Sequence, residues 1–376
     1  MAKIILAANT DWYLYNYRLD LACFLREQGH EVVLVSPAGK YTRDFDRRGF
    51  PWRRWEVGRQ TLAPWLELGA TLRLARLYRQ EQPDLVHHHT IKPVLYGTLA
   101  ARAVPGARVV NSITGRGYIF SGKDARARLL KGGVRRLYRL ALNRPDTAVI
   151  FENGADRDYF LAEKFITPAQ AFHIPGVGVD PERFRPAPEP EGAPVILFSG
   201  RLLWDKGVGL LVEAARRLQG GSPLRVALAG EPDPGNPGSI PEETLRGWAR
   251  EGLVEWWGWQ TDMNAAYARS HIVAMPTMYA EGVPTVLLEA AACGRPVVAS
   301  DSPGCREIAR HEVNGLVVPP GDAASLAQAL ERLASDPGLR GRMGAEGRRI
   351  VLDGFTTARV NAATLAVYGR EWGASP

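Results

Sequence analysis

Val195-Ile-Leu-Phe-Ser199-Gly200-Arg201-Leu-Leu-Trp-Asp-Lys206-Gly207 carries a short apolar run into a glycine, and a helix-forming stretch follows over residues 208–218. A buried strand, a tight turn and a helix make the repeating unit of an open α/β sheet. The unit recurs in both directions. Toward the N-terminus, strands are expected at residues 3–8, 31–36, 84–88, 108–113 and 147–151, with helices near 18–28, 42–48, 66–80, 93–103 and 125–142. Toward the C-terminus, strands are expected at 224–229, 254–257, 272–275, 297–299 and 315–318. The helices there fall near 240–250, 263–270, 284–293, 305–310, 323–335 and 337–353. The proline-rich passage 181–194 interrupts the alternation and reads as a linker. The fold class is therefore α/β, with two doubly wound, Rossmann-like domains at 1–180 and 195–354. In such folds ligands bind beyond the carboxyl ends of the strands.

Length agrees with two cores: 376 residues is long for one. The content, 45% hydrophobic and 23% charged, is that of a globular chain. No apolar run approaches the roughly 20 residues that span a bilayer, and the opening Lys3-Ile-Ile-Leu-Ala-Ala8 reads as a strand rather than a leader. A cytoplasmic protein is expected. Cys23, Cys293 and Cys305 are isolated, with no spacing for zinc or a redox motif. Net charge is +7 and uneven: residues 1–180 hold 27 Lys+Arg against 17 Asp+Glu (+10), and 181–376 hold 20 against 23 (−3). The basic half is expected to meet something anionic.

Two motifs sit after predicted strands. In the first, Arg201 and Lys206 stand five residues apart beside Gly200, at a helix entrance. Arg can grip oxygens bidentately and Lys adds a point charge, so the pair suits a departing diphosphate. In the second, Glu281-Gly-Val-Pro-Thr-Val-Leu-Leu-Glu289 places one carboxylate in a loop and another a turn and a half into a helix opened by Pro284. Carboxylates accept paired hydrogen bonds at the spacing of vicinal hydroxyls. Backbone N–H groups around Gly282, Val286 and Leu287 would face a phosphate. Either motif alone is equally a set of solvated surface charges; their joint presence in one half favours a sugar-nucleotide site.

These residues resemble the retaining glycosyltransferases of family 4, which have the two-domain GT-B architecture. The family's G-R-x-x-x-x-K-G element stands at Gly200 to Gly207 and its E-x7-E element at Glu281 to Glu289; Gly294-Arg-Pro-Val-Val-Ala-Ser-Asp301 and Asn314-Gly-Leu-Val-Val-Pro-Pro320 extend the match. The resemblance implies that the two domains face each other across a cleft that closes on substrate. It also implies that Arg201 and Lys206 hold the diphosphate, Glu289 the ribose, Glu281 the donor sugar, and that residues 355–376 cross back to the N-terminal domain. No metal or other cofactor is implied, and the nucleotide sugar is a substrate.

The N-terminal half departs from the family's common pattern. Asn9-Thr-Asp-Trp-Tyr-Leu-Tyr-Asn16 replaces a glycine-rich loop, and Thr114 in Asn111-Ser-Ile-Thr-Gly115 stands where a histidine is usual. Asn16, His89 and Thr114 are the acceptor-side or sugar-contacting candidates. Leu85-Val-His-His-His-Thr-Ile-Lys-Pro93 followed by Asn-x-Ile-Thr-Gly resembles the bacterial subgroup that extends polyprenyl-diphosphate-linked saccharides. That implies transfer of a hexose or N-acetylhexosamine, from a UDP-linked donor in our reading, to a lipid-linked sugar at the inner face of the membrane.

Arg126, Arg128, Lys131, Arg135, Arg136 and Arg139 decorate a helix whose apolar positions include Leu130, Val134, Leu137 and Ala141. Such a helix can present guanidinium groups to anionic lipid, each worth roughly 1 kcal/mol near the surface; it can equally be a solvated basic face. His87, His88 and His89 end a predicted strand, so at most two share a face, which disfavours a metal site. Two alternatives remain open, a nucleotide-sugar epimerase of the same architecture and a transferase to a soluble acceptor. A nicotinamide dehydrogenase would want G-x-G-x-x-G after a strand, which neither half has. The basic segments match no nucleic-acid-binding module, so no nucleic acid partner is expected.

Overall fold

The computed structural model describes residues 1–58, 63–115, 125–221 and 223–370, without the side chains of Pro64 and residues 125–131. The chain forms two compact units, Met1–Val177 with Arg359–Pro376, and Gly178–Ala358.

Among the described residues, the first unit is built on a seven-stranded parallel sheet. Its strands are β1 (Lys3–Ala7), β2 (Glu31–Ser36), β3 (Trp52–Arg54), β4 (Leu85–His89), β5 (Arg108–Ile113), β6 (Thr147–Phe151) and β7 (Ala171–His173), in the order β3-β2-β1-β4-β5-β6-β7. Alternation along β1 explains why both faces are covered. Ile4 and Leu6 meet Leu14, Leu25 and Val360 on one side, while Ile5 and Ala7 meet Trp55, Leu74 and Tyr78 on the other. Helices Asp11–Tyr17, Leu19–Glu27 and Thr357–Gly369 supply the first layer. Helix Pro64–Glu81 and helix Ala125–Leu142 supply the second, both packed on the helical stretch between them, a π-type turn at Pro93–Gly97 continued by Thr98–Ala101.

Among the described residues, the second unit has a six-stranded parallel sheet: β8 (Val195–Ser199), β9 (Arg225–Ala229), β10 (Glu255–Gly258), β11 (Ile272–Met275), β12 (Val297–Ser300) and β13 (Gly315–Val318), ordered β10-β9-β8-β11-β12-β13. The strand order reverses between β8 and β11 here, and between β1 and β4 in the first unit. These reversals are where open α/β sheets leave a crevice.

Among the described residues, two strands and two α-helices escaped the sequence reading: β3, β7, and helices Asp11–Tyr17 and Gly154–Ala162. The strands are three-residue edges without an apolar run. The helices are capped by side chains, Thr10 accepting from the Tyr13 N–H and Asn153 from the Asp156 N–H, rather than announced by periodicity. The passage 181–194, expected as a linker, is laid along the second unit. Arg340 pairs with Glu189 (2.8 Å), and Arg295, His271 and Arg348 donate to the carbonyls of Pro188, Pro190 and Phe184 at 3.0, 2.9 and 2.8 Å.

Candidate functional site

The loop after β8 and the loop after β11 lie side by side at the reversal of the second sheet, and hydrogen bonds stitch them together. The Met278 N–H donates to the Asp205 carbonyl at 2.9 Å. Gly207 turns with φ +78, and a Cβ there would fall 1.9 Å from the Pro276 carbonyl oxygen, so only glycine permits the approach. This turn ends the short Trp204–Lys206 helix and opens helix Val208–Leu218, which sets Lys206 at the crevice.

There the Lys206 ammonium donates to Glu281 Oε2, with both side chains only 13% exposed. Its charge also lies 5.5 Å from the centre of the Tyr279 ring. Burial alone would lower the Lys206 pKa, but Glu281 and Tyr279 outweigh it and hold the value above the ordinary range. The ammonium is therefore charged at neutral pH. Arg201 is near enough to oppose that charge, and its Nη1 rests on Asp233 Oδ2 at 2.8 Å. Burial and the Glu281 charge push the Tyr279 hydroxyl up, while Lys206 and Arg201 pull it down. Lys206 and Glu281 thus meet beside Tyr279, and Arg201, held by Asp233, is near enough for its charge to act on both Lys206 and Tyr279. Asp233 and Tyr279 belong to no recognisable motif, so only the fold reveals them.

Glu289 has a different neighbourhood. It is the fifth residue of helix Thr285–Ala292, partly buried, and its Oε2 accepts from the Tyr267 hydroxyl at 2.7 Å. Burial pushes its carboxyl up to about 7, against the pull of Tyr267 and Arg183. Pro284 is the N-cap of this helix rather than its first residue. The Leu287 N–H is used by the Pro284 carbonyl at 3.0 Å, and the Val286 and Leu287 side chains are core. Gly200 donates its N–H to the Ala229 carbonyl at 3.0 Å. Gly282 is buried against Gly304, where a Cβ would fall 1.7 Å from the Gly282 oxygen.

In the first unit the acceptor-side candidates are dispersed in character. Asn16 is exposed and donates to the Trp12 carbonyl at 2.8 Å. Thr114 is partly buried just past β5. His89 is fully buried, 4.0 Å from the His87 ring, and neither of its nitrogens is hydrogen-bonded. Burial, with His87 and Arg18 nearby, holds it well below the usual histidine range, hence neutral. His87 bonds Tyr368 (2.6 Å) and Ser112 (2.7 Å), and His88 bonds Tyr78 and Asn111, each at 2.9 Å. Those two are satisfied core residues. A buried Arg18–Glu152 pair at 3.6 Å lies in the same cluster and carries no sequence signature. Among the described residues no group of three or more His, Cys, Asp or Glu is placed to hold a metal ion.

Of the basic helix, Arg126, Arg128 and Lys131 have side chains outside the described residues. Arg135 pairs with Glu163, Arg139 donates to the Glu163 carbonyl at 3.3 Å, and Arg136 is exposed.

Two Rossmann-like units, the second bearing cations and a carboxylate at its sheet reversal, make the GT-B architecture. Comparison with known proteins agrees: "Glycosyl transferase 4-like domain" matches residues 16–176 and "Glycosyl transferases group 1" matches 193–336. The chain belongs to the family 4 glycosyltransferases. It is 26% identical over 340 residues to N,N'-diacetylbacillosaminyl-diphospho-undecaprenol alpha-1,3-N-acetylgalactosaminyltransferase of Campylobacter jejuni, covering 87% of this chain and 88% of that one. It is 24% identical to UDP-Gal:alpha-D-GlcNAc-diphosphoundecaprenol alpha-1,3-galactosyltransferase of Escherichia coli, covering 78% and 77%. Its fold matches the crystal structure of Anabaena HepE in complex with UDP, with a TM-score of 0.78 over 98% of this chain and 99% of that one at 19% identity. The protein is a hexosyltransferase.

Proposed function

We propose that this enzyme transfers a hexose or N-acetylhexosamine from a UDP-linked donor to a polyprenyl-diphosphate-linked sugar, with retention of configuration and without a metal. The observation that carries the reading is the buried Lys206–Glu281 pair at the reversal of the second sheet, with the Arg201 charge acting on it from its place on Asp233. A buried, charged ammonium, with a guanidinium within range of its charge, can neutralise a departing diphosphate, the work a divalent cation would otherwise do. Glu281 holds that ammonium in place and orients the donor sugar. Glu289, on its helix, accepts the ribose hydroxyls with Tyr267 steadying one oxygen. Front-side displacement, in which the leaving phosphate oxygen takes the acceptor proton, needs only positioning and electrostatics and suits a site with no evident nucleophile. The first unit receives the acceptor, with exposed Asn16 and partly buried Thr114 on that side and His89 contributing from the core at the end of β4, and the enzyme works as a peripheral protein at the inner membrane face. The lipid-linked acceptors in the names of the Campylobacter and Escherichia relatives support this choice over an epimerase or a soluble acceptor.

A panel of nucleotide sugars, assayed for binding and for transfer to a polyprenyl-diphosphate disaccharide precursor, tests the reading. Glu289→Ala is expected to weaken nucleotide binding. Glu281→Ala is expected to leave nucleotide binding near wild type and lower turnover by about 10²-fold, the usual effect of losing one preorganised charge contact. Near-wild-type behaviour of both variants would remove the site assignment, and isomerisation of donor without acceptor would favour the epimerase.

A further inference from the structure

Helix Pro64–Glu81 turns an unusual side to solvent. Trp65 is 74% exposed, Leu66 51%, Leu68 60% and Leu72 61%. At 100° per residue, Trp65, Leu68 and Leu72 fall within about 60° of one another, and Arg76 and Arg79 continue the same stripe toward the C-terminus, with Arg73 at its edge. All three arginines are exposed. The opposite side is ordinary core: Ala70, Leu74 and Tyr78 are buried against the sheet. Glu67, an acidic residue that would spoil an apolar face, points inward and binds Lys92 at 2.6 Å. Trp52 and Trp55, the other aromatics of this region, are partly or wholly buried, with their indole N–H groups given to Ser36 and Ala70.

We infer that this stripe is a membrane-docking element, with Trp65, Leu68 and Leu72 entering the headgroup–acyl boundary of an anionic phospholipid bilayer and Arg73, Arg76 and Arg79 meeting its phosphates. The occupant is chosen on charge. The outward stripe carries three cations and no anion, it belongs to the half with ten excess positive charges, and helix Ala125–Leu142 with exposed Arg136 and Arg139 lies in the same layer. A second copy of so basic a face would be repelled, whereas an anionic leaflet attracts it. Tryptophan at the leading end suits the interface, where its ring and N–H are both accommodated. The inference rests on the lipid-linked acceptor proposed above and specifies how the enzyme reaches it.

The test is flotation of the full-length protein with vesicles of phosphatidylcholine alone and of phosphatidylcholine mixed with phosphatidylglycerol. Wild type is expected to float with the mixed vesicles. Trp65→Ser and, independently, Leu72→Ser should each reduce the bound fraction at least about fivefold at any salt concentration. The triple change R73Q/R76Q/R79Q should reduce it at low salt and converge with wild type as salt screens the charges. All variants should keep the wild-type melting temperature and the wild-type rate on a detergent-dispersed acceptor. Undiminished flotation of both apolar variants overturns the proposal, as does a wild-type dimer in ultracentrifugation that Trp65→Ser dissociates while vesicles bind nothing. Loss of transfer to the dispersed acceptor in wild type would instead strike the proposed reaction, leaving flotation to judge the surface.

Discussion

Glu289 is the residue whose ionisation matters most to the proposed donor site. Its carboxyl, raised by burial to about 7, is partly protonated in the folded chain near neutrality, whereas in the unfolded chain it ionises near 4.5. The folded state therefore binds more protons between those values. The stability this contributes is complete below 4.5 and is lost as pH rises through 7. The shift corresponds to about 3 kcal/mol at most. Glu289→Gln removes the titration while keeping an acceptor for Tyr267. Its melting temperature, relative to wild type, should rise between pH 5 and pH 8 in calorimetry, and a flat difference would contradict the raised carboxyl. Nucleotide binding should respond in the opposite sense. Ribose hydroxyls donate best to the ionised carboxylate, so wild-type affinity should strengthen from pH 6 to pH 8 while Glu289→Gln stays weak and nearly pH-independent. Lys206 offers no such window, because Glu281 and Tyr279 keep it charged throughout.

At the scale of elements, the site is a junction of two loops and a helix start. Gly304, second residue of helix Pro303–Ile308, lies so close to the Glu281–Gly282 backbone that a Cβ would sit 2.6 Å from the Glu281 oxygen as well as 1.7 Å from that of Gly282. Gly304→Ala should push that loop away from Lys206, lowering turnover by about 10-fold or more, with a stability loss of about 1–3 kcal/mol. Steady-state kinetics beside thermal melts would check it, and unchanged turnover would show that the loop tolerates the shift. The contact also marks what could be read in advance. Strand, glycine turn and cation pair at Gly200 to Gly207, and the loop-to-helix spacing of Glu281 and Glu289, were legible because each lies within one βα unit. Asp233, Tyr267, Tyr279 and Gly304 were not. Tyr267 reaches Glu289 across 22 residues and Arg201 reaches Asp233 across 32, and no local pattern encodes such pairings. The Glu281–Lys206 contact spans 75 residues and was expected only because two motifs were presumed to share a ligand. His89 shows the same limit in the first unit: its place at the end of β4 is legible in the sequence, and its full burial beside Tyr13 and His87 is not.

Across the whole molecule, the two units are not consecutive in sequence, since the first is completed by residues returning after Ala358. Helix Thr357–Gly369 sends Val360, Val367 and Tyr368 into the core under β1 and β4. Tyr368 makes the most specific of these contacts, its hydroxyl meeting His87 Nδ1 at 2.6 Å across 281 residues. Burial holds His87 well below the ordinary histidine range, so the ring is neutral and needs both bonds it makes, to Tyr368 and Ser112. Tyr368→Phe keeps the packing and leaves one buried ring nitrogen without a partner, at a cost of about 1–3 kcal/mol. For a unit of this size that is a fall of roughly 2–12 °C in melting temperature. The partner lost lies in the first unit, while the proposed donor residues lie wholly in the second, so nucleotide affinity by titration calorimetry should match wild type. A matched fall in affinity and melting temperature would mean that the returning helix also sets the donor site, and would assign the C-terminal segment a part in binding rather than in the first core alone.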